Sequence, residues 1–298
     1  MSSLFSAVEL APRDPILGLN EQFAADTHPA KVNLGVGVYY DDNGKLPLLK
    51  CVQAAEKQLA EAPKARGYLP IDGIAAYDNA VKTLVFGADS EPVQSGRVAT
   101  VQALGGTGGL KVGADFLKRL NPSAKVLISD PSWENHRALF INAGFTVETY
   151  PYYDAAKRGI NFEGFIAALQ AAEAGTVVVL HACCHNPTGY DITPEQWDLV
   201  VAAVKERQLV AFLDMAYQGF GYGIAEDGAV IDKFVQAGLT FLVSTSFSKS
   251  FSLYGERVGA LSVLAKDKEE AGRVLSQLKI VIRTNSVSYT HLTLPTKA

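Results

Sequence analysis

The residues of this sequence best able to carry chemistry include a lysine that follows an apolar segment. Lys249 stands in Ser244-Thr-Ser-Phe-Ser-Lys-Ser250, and Arg257 follows eight residues later. A buried amine near a second cation loses its proton more readily, and the neutral amine can condense with a carbonyl carbon to form a Schiff base. Ser246 and Arg257 could together bind a phosphate, the arginine through two parallel hydrogen bonds. Most lysines extend into water, so an ordinary surface residue is the alternative.

A second candidate is the carboxylate that ends the run Leu209-Val-Ala-Phe-Leu-Asp214. A buried carboxylate is unfavourable unless it meets a cation. A protonated pyridine nitrogen is such a cation, and its proton makes the ring an electron sink. Tyr217, three residues later, could reach the phenolic oxygen of the same ring. The alternative for Asp214 is a turn or helix-capping residue.

A glycine-rich segment and a tryptophan follow two other apolar runs. In Leu104-Gly-Gly-Thr-Gly-Gly109, the backbone amides and the hydroxyl of Thr107 could bind a phosphate at a helix start. The segment lacks the spacing of a Walker A or dinucleotide-binding motif, so a flexible turn is the alternative. Trp133 could stack on a planar ligand, although tryptophan is more often a core residue.

Histidines and cysteines in His181-Ala-Cys-Cys-His-Asn-Pro-Thr-Gly189 raise the question of a metal site. On an extended strand His181, Cys183 and His185 would share one face, and three such ligands could form an open zinc site of a hydrolase. The segment has no acidic ligand nearby in sequence and fits ligand-spacing rules poorly. We therefore expect no metal, and Asn186 to offer its amide to a ligand.

These residues require an architecture that brings them together. Short β-branched runs alternate with stretches of helical period, which predicts an α/β fold with a mainly parallel sheet. The predicted strands are residues 98–104, 126–129, 176–181, 209–213, 241–245 and 259–264. The predicted helices are residues 109–120, 133–143, 162–172, 194–207 and 230–237. The candidate residues discussed above follow five of these strands. Ligands of open α/β sheets bind beyond the carboxyl ends of the strands, so we expect the candidate residues to line one crevice.

Composition excludes several classes of function. The 298 residues include 48% hydrophobic and 19% charged ones, and the net charge is −4 with a pI near 5.8. This balance argues against nucleic-acid binding and membrane-surface binding. No apolar run approaches the ~20 residues that span a bilayer, and the N-terminus lacks a signal-peptide pattern. Three cysteines cannot form a disulfide framework, so we expect a cytoplasmic protein.

Taken together, the motifs resemble those of class I (fold type I) aminotransferases, in the aspartate and aromatic (tyrosine) amino-acid branch. The resemblance runs from about Pro15 to Arg283. It rests on Asn33-Leu-Gly-Val-Gly-Val-Tyr39, Tyr68-Leu-Pro-Ile-Asp-Gly73, Cys183-Cys-His-Asn-Pro-Thr-Gly189, Asp214-Met-Ala-Tyr-Gln-Gly-Phe220 and Ser246-Phe-Ser-Lys-Ser-Phe251 with Arg257. It implies pyridoxal 5′-phosphate as cofactor and amino-group transfer between an aromatic or acidic L-amino acid and 2-oxoglutarate, in a homodimer.

The resemblance also implies roles for individual residues. Lys249 would bind the cofactor covalently and then act as general base, with Asp214 and Tyr217 as its catalytic partners. Asp214 would pair with the pyridine nitrogen, while Tyr217 and Asn186 would bind the ring oxygen. Further cofactor and substrate contacts are implied for Trp133 on the ring, for Gly106, Thr107, Ser246 and Arg257 at the phosphate, for Tyr68 from a second subunit, and for Gly37, Trp133 and Asn186 beside the substrate. His181, Cys183 and Cys184 would be structural.

The resemblance ends near Asn285, after which family members continue for roughly a hundred residues. We therefore expect residues 1–46 to form an N-terminal arm and part of an incomplete small domain. Residues 47–286 would form a three-layer large domain that binds the cofactor, and residues 287–298 a tail without family counterpart. The missing segment should carry the arginines that bind substrate carboxylates. The alternative function is thus a truncated, catalytically inactive fragment that binds the cofactor.

Overall fold

The computed structural model describes residues 3–12, 17–33, 35, 37–63, 65 and 67–285. The tail predicted at residues 287–298 lies outside the described residues. The chain divides into two compact units, Met1–Leu48 and Leu49–Ala298. Among the described residues, no helix combines the length and the apolar character that crossing a membrane requires.

The first unit contains little regular structure. A short 3₁₀ helix, Leu4–Ala7, is followed by helix α1, Leu17–Ala25. The ammonium of Lys31 donates hydrogen bonds of 2.6 Å to the carbonyl oxygens of Phe23 and Asp26, which ties the chain back to the end of α1. Gly37, the residue expected beside a substrate, belongs to this unit, and a Cβ added to it would meet no atom within 4 Å.

The second unit alternates helices and strands. Its helices are α2 Lys50–Glu61, α3 Ala75–Phe86, α4 Glu91–Gln94, α5 Gly105–Leu120, α6 Glu134–Asn142, α7 Phe162–Ala171, α8 Pro194–Glu206, α9 Ile224–Gln236 and α10 Lys268–Asn285. Its strands are β1 Val98–Leu104, β2 Lys125–Asp130, β3 Thr146–Pro151, β4 Tyr153–Asp154, β5 Gly159–Ile160, β6 Val177–His181, β7 Val210–Met215, β8 Phe241–Ser246 and β9 Val258–Leu264.

Seven of the strands form one sheet in the order β1-β9-β8-β7-β6-β2-β3. Strand β9 is antiparallel to both of its neighbours, whereas the remaining pairs are parallel. Strands β1, β8, β7, β6, β2 and β3 therefore all point the same way. Their carboxyl ends lie along one edge of the sheet, which is where the predicted crevice requires them.

Successive strand residues point to opposite faces of the sheet. Because the residues on both faces are apolar, helices cover both faces. Leu180, Leu213 and Val243 belong to one apolar core and the residues before them to the other. The first core is completed by helices α3, α7, α8 and α9, and the second by α5, α6 and α10. Each fully buried leucine or phenylalanine contributes roughly 1.5–3 kcal/mol to this packing. The predicted three-layer α/β architecture is confirmed.

The local signals predicted the element positions well, with two corrections. Every predicted strand is present, shifted by two residues or fewer at its ends, and the side chains of Thr193 and Gln196 form the expected capping box at the start of α8. The predicted starts of two helices were wrong. Helix α5 begins at Gly105 rather than Gly109, and α9 begins at Ile224 rather than Val230. In α9 the early turn carries Glu226 and Asp227, acidic residues that favour a helix N-terminus.

The first turns of helix α5 contain the glycine segment and lie very close to the sheet. A Cβ on Gly109 would come within 2.6 Å of the Ser244 hydroxyl and 2.8 Å of the Ala260 carbonyl oxygen. A Cβ on Gly113 would lie 2.4 Å from the ring of Phe212. The glycines therefore set how closely this helix packs on the strands that carry the candidate site.

We predict that Gly109→Ala lowers the free energy of unfolding by about 1–3 kcal/mol, since backbone atoms cannot yield to the added methyl group. Gly272→Ala is the matched control, because Gly272 lies in α10 with no atom within 4 Å of an added Cβ. We expect the control to be neutral or stabilising by up to ~1 kcal/mol. Urea denaturation of both variants measures the difference, and equal effects would contradict this account of the α5 packing.

Candidate active site

Five segments leave the sheet at the shared carboxyl edge of the strands. They follow β1, β2, β6, β7 and β8 and carry the glycine segment, Trp133, Asn186, Tyr217 and Lys249, respectively. Across the sheet, His181 of β6 pairs with Asp214 of β7, and Asp214 pairs with Ser244 of β8. The strands thus place the candidate carboxylate in the middle of this edge.

The Asp214 carboxylate is buried and has a histidine as partner. The residue is 6% exposed, and its Oδ2 lies 2.8 Å from Nε2 of His136. His136 is fully buried in the first turns of α6, and its Nδ1 lies 2.9 Å from the hydroxyl of Ser132. The ring of Trp133 meets the His136 ring edge to face at 5.2 Å. Sequence reasoning missed His136 as a site residue, although its position one turn after Trp133 at the start of a helix was visible.

A second histidine lies beside this pair. The ring of His181 is 5.0 Å from that of His136 and 4.3 Å from that of His185. Both of its ring nitrogens are buried without a hydrogen-bond partner among the described residues. Burial, reinforced by the two neighbouring histidines, lowers the pKa of His181 well below its usual value. The ring is therefore neutral and places no positive charge next to the Asp214–His136 pair.

Lys249 follows β8 in a half-buried position. Its ammonium nitrogen lies 5.0 Å from the centre of the Tyr217 ring. Burial lowers the pKa of Lys249, Asp214 raises it and Arg257 lowers it, and the net direction is downward. The pKa of the Tyr217 hydroxyl is raised, first by burial and then by the charge of Asp214. At neutral pH the tyrosine is consequently a hydrogen-bond donor, and the lysine releases its proton more easily than a solvated amine.

The glycine segment, β8 and the Arg257 loop form a narrow cradle. The Gly105 amide donates a 2.8 Å hydrogen bond to the carbonyl of Arg257, and a Cβ on Gly105 would lie 2.6 Å from the guanidinium. The Ser244 hydroxyl donates to the Gly106 carbonyl at 2.9 Å, and a Cβ on Gly106 would lie 3.0 Å from Cβ of Ser246. Only glycines allow this approach, which brings helix N-terminal amides, a hydroxyl and a guanidinium together as an anion site.

The loop that carries Asn186 is held by contacts of its neighbour His185. The His185 ring stacks on Tyr152 with centres 3.8 Å apart. Its Nε2 lies 2.9 Å from the Ser129 hydroxyl, and its Nδ1 lies 2.8 Å from the Thr188 hydroxyl. Both ring nitrogens of His185 are thus occupied within the protein. The metal-ligand set His181, Cys183 and His185 considered from the sequence is not among the groups of converging ligands in the described part of the chain.

Three predicted site residues lie apart from these contacts. Tyr68 precedes α3 and is 88% exposed. Thr107 is half-buried in the first turn of α5. Gly37 belongs to the first unit, as described above. The geometry therefore groups Asp214, Tyr217 and Lys249 with the cradle of the glycine segment and Arg257 in the second unit.

Comparisons with known proteins show the family of this chain. Residues 29–297 match the family model described as aminotransferase class I and II. An aspartate aminotransferase from Pseudomonas aeruginosa is 64% identical over 95% of this chain and 71% of the relative, and an aromatic-amino-acid aminotransferase from Escherichia coli (strain K12) is 52% identical over the same shares. The solved structure of an aromatic-amino-acid aminotransferase from Burkholderia pseudomallei, covalently bound to pyridoxal phosphate, is 66% identical. It superimposes with a TM-score of 0.95 and covers 97% of this chain and 73% of that one.

The environment of Lys249 leads to a pH-dependent prediction. In the cofactor-free protein, we expect acetic anhydride to modify Lys249 with a midpoint at lower pH than an ordinary lysine shows. Arg257→Met removes a charge that lowers the pKa of Lys249, so the midpoint moves to higher pH. Arg273→Met, which removes an exposed arginine paired with Glu269, is the control and leaves the midpoint unchanged. Competitive labelling followed by peptide mass spectrometry gives these midpoints, and a shift to lower pH in Arg257→Met would contradict the assignment.

Proposed function

This chain belongs to the class I and II aminotransferases, and from that premise we propose that it transfers amino groups with pyridoxal 5′-phosphate as its cofactor. The proposed substrates are aromatic or acidic L-amino acids and 2-oxoglutarate. The observation that carries the proposal is the half-buried Lys249 amine, whose pKa is lowered, beside the Tyr217 ring and under the influence of the buried Asp214 carboxylate.

The residues present fit this cofactor. A buried carboxylate suits a cationic ring nitrogen, a readily neutralised amine suits an aldehyde, and the Gly105–Gly106 cradle, which any Cβ would fill, suits a phosphate. The chemistry that bound pyridoxal phosphate supplies is withdrawal of electrons from the substrate Cα into a cationic pyridine ring. Everything else in the reaction falls to side chains of the protein.

We assign the proton-handling roles to three residues. Asp214, oriented by His136, would hold a proton on the ring nitrogen. Lys249 would bind the cofactor covalently through its neutral amine and, once displaced by the substrate amine, would move a proton between the substrate Cα and cofactor carbon C4′. Tyr217, whose raised pKa keeps its hydroxyl protonated, would donate a hydrogen bond to the ring oxygen.

The remaining residues would position the cofactor and the substrate. Asn186 would bind the ring oxygen from the loop that His185 anchors, and Trp133 would cover the ring. The phosphate would be bound by Gly106, Thr107, Ser246 and Arg257. Trp133 and Asn186 would also lie beside the substrate.

We also propose a homodimeric assembly in the cytoplasm. Tyr68 is 88% exposed, and in the proposed dimer Tyr68 of the partner subunit would reach the phosphate. The acidic composition and the three free cysteines support a reducing compartment. Both substrate classes remain in the proposal, because relatives named for aspartate and for aromatic amino acids resemble this chain to similar degrees.

The test is amino transfer from tyrosine or aspartate to 2-oxoglutarate, measured as glutamate formation. We expect turnover by the wild type and a loss of at least about 10³-fold in Lys249→Arg, which keeps the charge but cannot bind the aldehyde covalently. Lys266→Arg alters an exposed lysine after β9 and serves as the control with unchanged turnover. Borohydride reduction of the wild type, followed by peptide mapping, should place the cofactor on Lys249.

Two outcomes would overturn the proposal. One is full activity in Lys249→Arg, and the other is a reduced cofactor mapped to a different lysine. Comparing kcat/KM for tyrosine and aspartate in the same assay decides between the two substrate classes.

A further inference from the structure

Two adjacent cysteines and an aspartate form a cluster to which the proposed reaction assigns no role. The Sγ atoms of Cys183 and Cys184 and a carboxylate oxygen of Asp227 all lie within 4.8 Å of one another. Cys183 and Asp227 are buried, and Cys184 is half-buried. Asp227 comes from helix α9, forty-three residues after Cys184, so the sequence alone gave no acidic partner for these thiols.

The backbone at Cys184 is what brings the two thiols together. Adjacent residues of an extended strand point to opposite faces. Cys184, however, has a φ of 50°, in the left-handed region that a non-glycine residue rarely adopts. The carboxylate of Asp191 holds this turn by accepting hydrogen bonds from the amides of Cys184 at 2.6 Å and His185 at 2.7 Å. The thiols are therefore presented as a pair by a conformation that the protein maintains.

The third member of the cluster is equally well fixed. Oδ2 of Asp227 accepts hydrogen bonds from the amides of Gly219 at 2.8 Å and Gly221 at 2.9 Å, and Oδ1 accepts one from Tyr222 at 2.9 Å. A carboxylate has about four acceptor positions, so three amide bonds leave one position on Oδ1. Asp227 can hold the loop after β7 and still coordinate a cation.

The electrostatic environment favours a positive ion. The pKa of the Cys183 thiol is raised by burial, by the neighbouring thiol and by the charges of Asp227 and Asp191. The pKa of Cys184 is raised by burial and by the same two aspartates. Both thiols are consequently protonated at neutral pH. A bound cation reverses this effect, since it stabilises the thiolates and neutralises the buried carboxylate.

We propose that Cys183, Cys184 and Asp227 form a binding site for a thiophilic divalent cation of the Zn²⁺ or Cd²⁺ type. With metal–sulfur bonds of about 2.3 Å, tetrahedral geometry requires ligand atoms roughly 3.8 Å apart, and the three ligand atoms all lie within 4.8 Å of one another. A water molecule completes the coordination at the exposed side of Cys184. Binding one ion releases the two thiol protons to solvent, and no atom is oxidised or reduced.

The proposed metal site would join two loops at the carboxyl edge of the strands. The Cys184 thiol lies 4.0 Å from the carbonyl oxygen of Tyr217, to which it donates a weak hydrogen bond. Coordination replaces this contact with a bridge between the loop after β6 and the start of α9. An ion bound only by the folded protein also raises its resistance to unfolding.

The experiment uses Cd²⁺ added to the cofactor-loaded protein in a phosphine reductant, monitored through the thiolate-to-cadmium charge-transfer absorbance. We expect saturation at one ion per chain. Cys184→Ser removes a ligand and should weaken binding by at least about tenfold, because changes outside the coordination shell alone can cost that much. Cys51→Ser is the matched control, because Cys51 is an exposed free cysteine outside the cluster, and it should bind as the wild type does.

Thermal unfolding provides a second readout of Cd²⁺ binding to the same three proteins. Cd²⁺ should raise the unfolding temperature of the wild type and of Cys51→Ser by the same amount, and that of Cys184→Ser by less. The proposal is overturned by any of three results: no charge-transfer absorbance at saturating Cd²⁺, a Cd²⁺ affinity that is the same in Cys184→Ser as in the wild type, or an absorbance that disappears in Cys51→Ser.

Discussion

A carboxylate buried at the carboxyl end of a central strand is the constraint on which this structure depends. Asp214 is 6% exposed, and an ion in such a place requires partners. The protein supplies one through His136, which reaches across from α6 at 2.8 Å. The second partner that we propose is a cationic ring nitrogen, which would explain why an acidic residue stands where the rest of β7 is apolar. The six strands that run in one direction then bring the segments after β1, β2, β6 and β8 to the same edge.

The lysine works within limits set by the same carboxylate. A neutral amine is needed for attack on an aldehyde, yet a nearby carboxylate favours the charged form. Burial and Arg257 act in the opposite direction and win, since the pKa of Lys249 is lowered overall. The arginine that is proposed to bind the phosphate therefore also tunes the amine. Lys249 and Arg257 lie in the single short loop between β8 and β9. The residue proposed to bind the phosphate therefore lies in the same loop as the amine whose pKa it lowers.

Much of this arrangement was predictable because it depends on local sequence. Apolar β-branched runs identified the strands, and Lys249, Asp214 and Tyr217 stood out as polar residues directly after them. The contribution of His136 was not predictable in the same way, since its bond to Asp214 joins residues seventy-eight apart. The glycines at the start of α5 indicated a loop, whereas the structure needs them inside the helix for close packing on Ser244 and Ala260.

The thiol cluster shows the same limit. Period-two alternation placed Cys183 with His181 and His185, but the left-handed turn at Cys184 broke that alternation and brought Cys183 together with its neighbour. Such a turn is stabilised by Asp191, seven residues later, through backbone amides that no side-chain pattern reveals. Long-range and backbone-mediated contacts are thus what sequence patterns leave out.

The most direct measurement of the central claim is the protonation state of the cofactor ring nitrogen. Nitrogen-15 NMR of protein loaded with ring-labelled pyridoxal phosphate reports it without reference to turnover. The account predicts a protonated nitrogen in the wild type and an unprotonated one in Asp214→Asn. An unprotonated nitrogen in the wild type, or the same signal in both proteins, would contradict it.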